Sequence, residues 1–356
     1  MAVVINGSGT VTGISVGGLP DGIVDAGTLA TNSVDSAELI DGAVDDSHMA
    51  SIKGRKNLIM NGNFAIWQRG TSFTSSGYTA DRWNWAGGTG TVTRQAFTAG
   101  DEIADSPYYL RWAVTGNSQN IELRNNIEDV RTAAGKSCKL SFWAKSSTGT
   151  ETLGWEVYQN FGSGGSSLTS AGGGTYTPTT SWAKYTFDVT MGSMTGKTIG
   201  TGSYIWVRVA QMATTNTPTL EFAGVQLEVG TEATDFEHRH YGEELALCQR
   251  YYQRWNVGDS SMVATGQCFS TTSGYVEAPL SQPFRVKPTA LTFDSLSVWN
   301  STGAEASGTL ALAIHTGSTA DVVRLNVSGK TNLGGAGEVC SVYGSGTGWL
   351  ALDAEL

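Results

Sequence analysis

Charge is scarce in this chain. Of 356 residues only 15% are Asp, Glu, Lys or Arg, and the balance is acidic, with a formal net charge of −10. No long run of Lys or Arg occurs, so the electrostatic footprint of a nucleic-acid binder is missing and neither DNA nor RNA is an expected partner. No apolar stretch approaches the roughly 20 residues that cross a bilayer. The N-terminus also lacks the charged and apolar regions of a signal peptide, so the expectation is a soluble protein made in the cytosol, without membrane insertion. Cysteine is sparse and unpaired in sequence: Cys138, Cys248, Cys268 and Cys340 are widely spaced without a CxxC, which points to buried free thiols rather than a disulfide scaffold. Catalytic signatures are sparse as well, with no P-loop or HExxH, and histidine only at His48, His238, His240 and His315. Two carboxylates suffice for glycoside hydrolysis, but with 32 acids in the chain their presence says nothing.

What is abundant is glycine, 46 residues, with Thr and Ser set among Val, Trp, Tyr and Phe. That mixture implies β structure with Gly-rich turns and a mainly β fold class. The chain is organised around residues 220–255. Phe222, Val225, Leu227 and Val229 carry a strand ended by Gly230. After a polar connection, Tyr241-Gly242-Glu243-Glu244 opens a segment in which Leu245, Cys248, Tyr252 and Trp255 recur at helical spacing. This stretch reads as the last strand of one β domain, residues 56–240, a linker, and a short helix opening a C-terminal β tip, residues 241–356.

Residues 1–18 are small, polar and β-branched, with Val11, Ile14 and Val16 too sparse to close a core. Then Val24-Asp25, Val34-Asp35 and Val44-Asp45 recur every ten residues, with Leu29, Leu39 and Met49 on the same period five residues out of phase. One apolar residue in five cannot bury itself in a monomer. A parallel homotrimer solves this by placing Val24, Leu29, Val34, Leu39, Val44 and Met49 on a common axis, which makes residues 19–55 a thin shaft. The alternative is a disordered acidic leader.

From Lys56 onward, strands are expected at residues 91–96, 108–114, 121–127, 138–145, 153–158, 183–189, 204–210 and 220–229, separated by glycine and serine clusters such as 162–167 and 171–174. Eight or more short strands without a helix describe an antiparallel sandwich. Beyond the helix, strands are expected at 262–269, 274–280, 290–299, 308–315, 322–327, 339–343 and 349–356. The last places Leu350, Leu352, Ala354 and Leu356 on one face, as a buried terminal strand would.

The opening NLIMNGNF of residues 57–64, residues 139–145 and residues 220–229 resemble the first, central and closing strands of jelly-roll carbohydrate-binding modules. Together with GVQLEVGTEATDFEHR and GEELALCQRYYQR, and with the decapeptide repeat, the chain more closely resembles bacteriophage tail-fibre proteins. That resemblance implies a structural virion protein of the tail, a homotrimer that docks to a nozzle or adaptor protein through residues 1–18 and binds a host-surface receptor, a glycan or a protein, through its distal domains. It leaves open a polysaccharide depolymerase, usually built on a long β-helix of which no repeat appears here, and a connector without receptor binding. No cofactor is expected. The jelly-roll resemblance implies Asn61, Asn63 and Asp81 as possible structural calcium ligands, with Asn63 where the family commonly has an acid. In an extended segment His238 and His240 point to one side, so three copies could surround an axial metal ion; the plainer reading is two solvent-facing rings.

Of the tryptophans Trp83, Trp85, Trp112, Trp143, Trp155, Trp182 and Trp206, most are expected in the sandwich core, Trp143 and Trp206 because they sit in alternating strands. A sugar platform needs an exposed aromatic face beside polar groups. In a fibre anchored by its N-terminus the tip is outermost, and the expected receptor-binding residues are Trp299, Tyr343 and Trp349 with Asn300 and Asp294. Residues 344–348 are expected as a small loop leaving both flanking rings accessible.

Overall fold

The computed structural model describes residues 4–5, 11–12, 56–104, 106–116, 121–212 and 216–356. Two compact units are present, residues 1–55 and 56–356. In the first, β1 (Val4–Ile5) and β2 (Val11–Thr12) form an antiparallel pair. The expected axial positions Val24, Leu29, Val34, Leu39, Val44 and Met49 lie outside the described residues.

In the second unit the chain forms β3 (Ser72–Phe73), β4 (Gly77–Tyr78), β5 (Trp83–Ala86), β6 (Thr89–Ala96), β7 (Tyr108–Gly116), β8 (Ile121–Glu128), β9 (Ser137–Ser146) and β10 (Leu153–Asn160). There follow β11 (Thr169–Tyr176), β12 (Ala183–Thr190), β13 (Tyr204–Met212), β14 (Thr219–Val229) and helix α1 (Tyr241–Gln249). The C-terminal strands are β15 (Tyr252–Val257), β16 (Met262–Ser270), β17 (Ser273–Glu277), β18 (Ala290–Trp299), β19 (Ala311–Ile314), β20 (Arg324–Ser328) and β21 (Val339–Asp353). The fold is mainly β. Among the described residues no helix is long and apolar enough to cross a membrane.

Two six-stranded antiparallel sheets, in the orders β11-β10-β13-β8-β5-β4 and β12-β9-β14-β7-β6-β3, enclose the first core. From β7 to β10 and from β11 to β14, successive strands cross between the sheets, which is the wrapping of a jelly roll. Alternation sets what points inward. Leu110, Trp112 and Val114 of β7 and Leu140, Phe142 and Ala144 of β9 meet Trp83, Trp85, Leu123, Val157, Ile205 and Val207 of the opposite sheet. Trp143 and Trp206 fall on the intervening positions and are half-buried on the outer faces, contrary to the expectation that they are core. Trp206 lies between Arg124 and Arg208, whose guanidinium carbons are 5.3 and 4.6 Å from its ring.

The expected glycine connection at 171–174 is itself part of a strand, β11. It pairs with β10, and a Cβ on Gly172 or Gly174 would come within 3.2 and 3.1 Å of the Trp155 indole. Glycine here makes room for a ring, which is stacked in turn on Phe187 at 4.4 Å.

The helix is shorter than its spacing suggests. It ends at Gln249 with Arg250 at the C-cap, and Tyr252 and Trp255 belong to β15, which pairs with β21. An aromatic-rich YQRWNV segment gains more from a sheet edge than from another helical turn. The remaining strands form one seven-stranded antiparallel sheet that curls around a second core of Val276, Val298, Leu325, Val327, Val342 and Leu350. The two expected strands 339–343 and 349–356 are a single fifteen-residue strand, β21. Leu350 and Leu352 are buried along it and Ala354 just past its end, while Leu356 is half-buried. All four cysteines are buried and free.

Between the two cores lies a polar seam. Arg69 pairs with Asp353 at 3.0 Å and Glu355 at 3.3 Å and lies 3.6 Å over the Tyr252 ring. Buried Arg82 pairs with Glu355 and stacks 3.4 Å over Tyr251, whose hydroxyl donates to Glu128 at 2.9 Å. Tyr78 donates to the Leu356 carbonyl at 2.9 Å. Burial pushes the Glu355 carboxyl above its ordinary range, against the pull of Arg82 and Arg69. The 230–240 segment is fixed as well. The Glu237 carboxylate accepts from the backbone N–H of Lys56 and Asn57, and Arg239, 5% exposed, donates to the carbonyls of Asn57 and Ile59 and pairs with Glu244.

Candidate functional site

The outer face of the curled sheet carries the exposed chemistry. On β21 the positions that alternate with Val342, Leu350 and Leu352 point away from the core, and register sets their neighbours: Ser297 opposite Tyr343, Ser341 opposite Trp299, and Asp294 opposite Trp349. Trp299 and Tyr343 stack at 4.1 Å with their planes 13° apart. Tyr343 is only 5% exposed because Trp299 covers its ring, and residues 344–348, expected as a loop, belong to β21, with 345–348 bulging opposite Ser295. Tyr343 therefore supports the platform, and Trp299, half-buried, presents it. Met262, across β16 from Tyr343, is 62% exposed beside the pair. Beneath, Ser297 donates to Glu305 and accepts from buried Lys330 at 2.9 Å. The Ser297 hydroxyl in turn holds the Glu305 carboxyl below its usual range.

Trp349 stands apart from this pair: its partner Asp294 lies three residues along β18 from Ser297, about 10 Å, because residues 345–348 bulge out of β21 opposite Ser295. It lines an open cleft of about 800 Å³ with Arg254, Asn256, Asp259 and the 346–348 backbone. That volume falls within the roughly 300–1,000 Å³ of small-molecule sites. Arg254 lies 4.4 Å over the Trp349 ring and is held by the Asn256 side chain at 3.0 Å and the Arg69 carbonyl at 3.1 Å. Asp294 is exposed, its carboxylate accepting only a 3.3 Å bond from Ser295. Asn300 is different: its amide oxygen accepts from Thr302 and Ala304 and its amide nitrogen donates to the Asn332 carbonyl, so it builds a turn and offers little to a ligand.

The residues implied as calcium ligands have other work. Asn61 donates to the carbonyls of Ile66 and Asp81 and accepts from Ile66, Asn63 accepts from Ala65, and the Asp81 carboxylate accepts from the Gln68 backbone and side chain. They tie the opening loop to the start of β5. His238 and His240 are exposed with ring centroids 6.3 Å apart, on either side of buried Arg239. Among the described residues no three His, Cys, Asp or Glu side chains gather to hold a metal ion.

A second aromatic patch escaped the sequence reading. On the sandwich, Phe97, Tyr109 and Trp182 pack within 4.7 to 5.6 Å of one another, with Lys145 5.2 Å from the Trp182 ring and ion-paired to Glu221. Phe97 and Trp182 fall just outside their strands, so no alternation signal marked them.

No known protein-family profile matches this chain, and no curated protein matches it. Solved structures do show likeness. A putative sugar-binding protein from Bacteroides thetaiotaomicron VPI-5482 is 16% identical, with a TM-score of 0.33 over 49% of this chain and 100% of that one. The N-terminal cellulose-binding domain of a Cellulomonas fimi β-1,4-glucanase is 18% identical, with a TM-score of 0.30 over 46% and 97%. The enzymatically active domain of bacteriophage CBA120 tailspike protein 4 is 13% identical, with a TM-score of 0.33 over 49% of this chain and 21% of that chain.

Proposed function

We propose that this chain is the subunit of a homotrimeric phage tail fibre, a structural virion protein that docks to a tail nozzle or adaptor protein through residues 1–18, extends through a shaft of residues 19–55, and binds a host-surface glycan through the tip, residues 241–356. The jelly-roll sandwich of residues 56–240 carries that tip. The observation that supports the reading most is the outer face of β18 and β21, where Trp299 on its Tyr343 support and Trp349 beside exposed Asp294 offer aromatic surface next to polar groups. Threefold symmetry would hold three such faces at fixed spacing, and multivalent attachment raises apparent affinity by about 10²–10⁴ without a new contact.

The test uses the full chain, because truncation at residue 257 would strip Glu355 from Arg82 and unsettle the sandwich. Purified protein should have a trimeric mass and bind host cells. Trp299→Ala together with Trp349→Ala should abolish binding, while Trp182→Ala on the sandwich patch should not. A monomeric mass, or undiminished cell binding by the double variant, sinks the reading. Release of reducing ends from host polysaccharide would replace it with the depolymerase.

A further inference from the structure

Twelve arginines fall among the described residues, and ten of them have a carboxylate partner: Arg69, Arg82, Arg111, Arg124, Arg131, Arg208, Arg239, Arg250, Arg285 and Arg324. In a chain with a formal charge of −10 that is what an excess of acid produces. The two exceptions are Arg94 and Arg254, which have no carboxylate partner among the described residues. Both line one groove. It begins in the Trp349 cleft, passes Arg254 and Asn256, which belong to both of its halves, and continues into a depression of about 300 Å³ with Gln68, Arg94, Tyr241 and Gln249.

The two cations are held in place by rings, not by acids. Arg254 lies 4.4 Å over Trp349, and Arg94 4.4 Å over Tyr108. Stacking fixes the guanidinium plane. Arg254 donates from Nε to the Asn256 side chain and gives one Nη1 hydrogen to the Arg69 carbonyl, which leaves its Nη2 donors and the second Nη1 hydrogen for a ligand. Asp259 is the one acid that lines either half, and it sits at the Trp349 end, where its carboxylate accepts from the Gly346 N–H at 3.0 Å. Amide donors and acceptors stand between the arginines, and Tyr241, 63% exposed, adds a second open ring at the far end.

We propose that this groove binds an anionic oligosaccharide, with Trp349 and Tyr241 as stacking surfaces, Gln249 and Asn256 addressing hydroxyls, and Arg94 and Arg254 each taking an acidic substituent of the sugar. The proposal rests on the glycan-binding reading above and narrows its ligand to a charged class. A planar guanidinium grips a uronate carboxylate through two parallel bonds, and it takes a sulfate ester through the same donors, so the two sources share one chemistry. The chain's net negative charge opposes non-specific binding of such a polymer, and the described lysines without a carboxylate partner line neither half of the groove, which makes two unneutralised arginines there a selective feature.

Calorimetry or biolayer measurements on the full-length protein should compare oligogalacturonate with its methyl ester, and dextran sulfate with dextran, in 50 and 300 mM salt. We expect binding to one charged member of a pair, weakened by salt and absent for its neutral counterpart. Arg94→Gln and Arg254→Gln should each weaken it by about tenfold or more, as loss of a hydrogen bond to a charged group does. Unchanged near-ultraviolet circular dichroism would show that the variants fold, and the salt dependence of the native protein supplies a readout independent of any substitution. Uronate binding without dextran sulfate binding identifies carboxylate as the substituent, and the converse identifies sulfate. Equal affinity for neutral and charged members, or full affinity in the double arginine variant, overturns the groove assignment and leaves the glycan reading standing. Host-cell binding with no affinity for any of the four probes also overturns it alone, whereas loss of cell binding and of every probe removes both readings.

Discussion

The sandwich and the curled sheet spend their aromatic residues in opposite ways. In the sandwich Trp83, Trp85 and Trp112 are fully buried between two sheets, with Phe142, Phe222 and Trp155 around them. In the curled sheet the core is mostly aliphatic, with valines, leucines and two cysteines around a single buried ring, Phe284, and Trp299 and Trp349 lie on the outside. Two stacked sheets about 10 Å apart leave a gap that large rings fill well. A single sheet curled on itself encloses a narrower space that β-branched residues fill, so its rings are free for the surface. Counting tryptophans cannot find a site in such a molecule; register can.

The contrast is broken most directly by truncation. Trp112→Ala should cost about 3–5 kcal/mol, as large-to-small changes at a buried tryptophan do. Trp349→Ala, which loses only a half-exposed ring and its contact with Arg254, should cost about 1 kcal/mol or less. Chemical denaturation of both variants measures this; equal losses would mean that the two regions do not differ in the way described.

Next in size is the seam that makes the comparison one within a single compact unit. Arg82→Ala leaves Glu355 buried with Arg69 as its remaining arginine and should cost about 3 kcal/mol or more. Because the seam joins both regions, one cooperative transition should move as a whole. Two separated transitions in the native protein would show that the regions unfold independently.

The same seam sets a pH dependence. The folded-state pKa of Glu355 is raised above its ordinary 4.5, chiefly by burial, so the folded state holds this proton more tightly than the unfolded chain. Its contribution to stability is fully present below about 4.5 and is lost as pH rises through the raised folded value. Glu355→Gln removes that dependence. The stability gap between the native protein and this variant should therefore widen in favour of the native protein on acidification from pH 8 toward 4.5, and a gap that narrows would reverse the assignment.

How much of this was legible beforehand follows from which interactions are local. Strands such as β9 and β13 announce themselves because alternation is a property of neighbouring residues, and the expected ranges differ from the observed ones by only a few residues. The direction of Trp143 and Trp206 was misread because alternation tells which residues share a face, not which face is inward. Residues 344–348 lie within β21, yet 345–348 bulge opposite the single residue Ser295, so the glycine signal marks the bulge and misses that the strand continues on either side of it. Arg82 with Glu355, and the pairing of ten arginines that leaves Arg94 and Arg254 exceptional, depend on contacts across much of the chain, for which no short window holds a signal. The shaft positions rest on periodicity alone.

Glycine gives the finest test of the comparison. In β11, Gly174 lies where a Cβ would meet the Trp155 Nε1 at 3.1 Å, and Gly172 where it would meet the same ring at 3.2 Å. Each should be replaceable by Ala only at a cost, about 1 kcal/mol for Gly174→Ala, the low end of what overpacking costs. At Gly172 an added Cβ also meets the Asp188 backbone oxygen at 3.1 Å, but at Gly174 the cost belongs to the ring and not to the strand, so there it should vanish when the ring is removed. In a Trp155→Leu background, Gly174→Ala should become neutral or stabilise by about 0.4–1 kcal/mol, because alanine restricts the unfolded chain more than glycine does. A double-mutant cycle from denaturation midpoints measures the coupling. If Gly174→Ala costs the same with and without the indole, the glycines of β11 serve something other than the approach of Trp155.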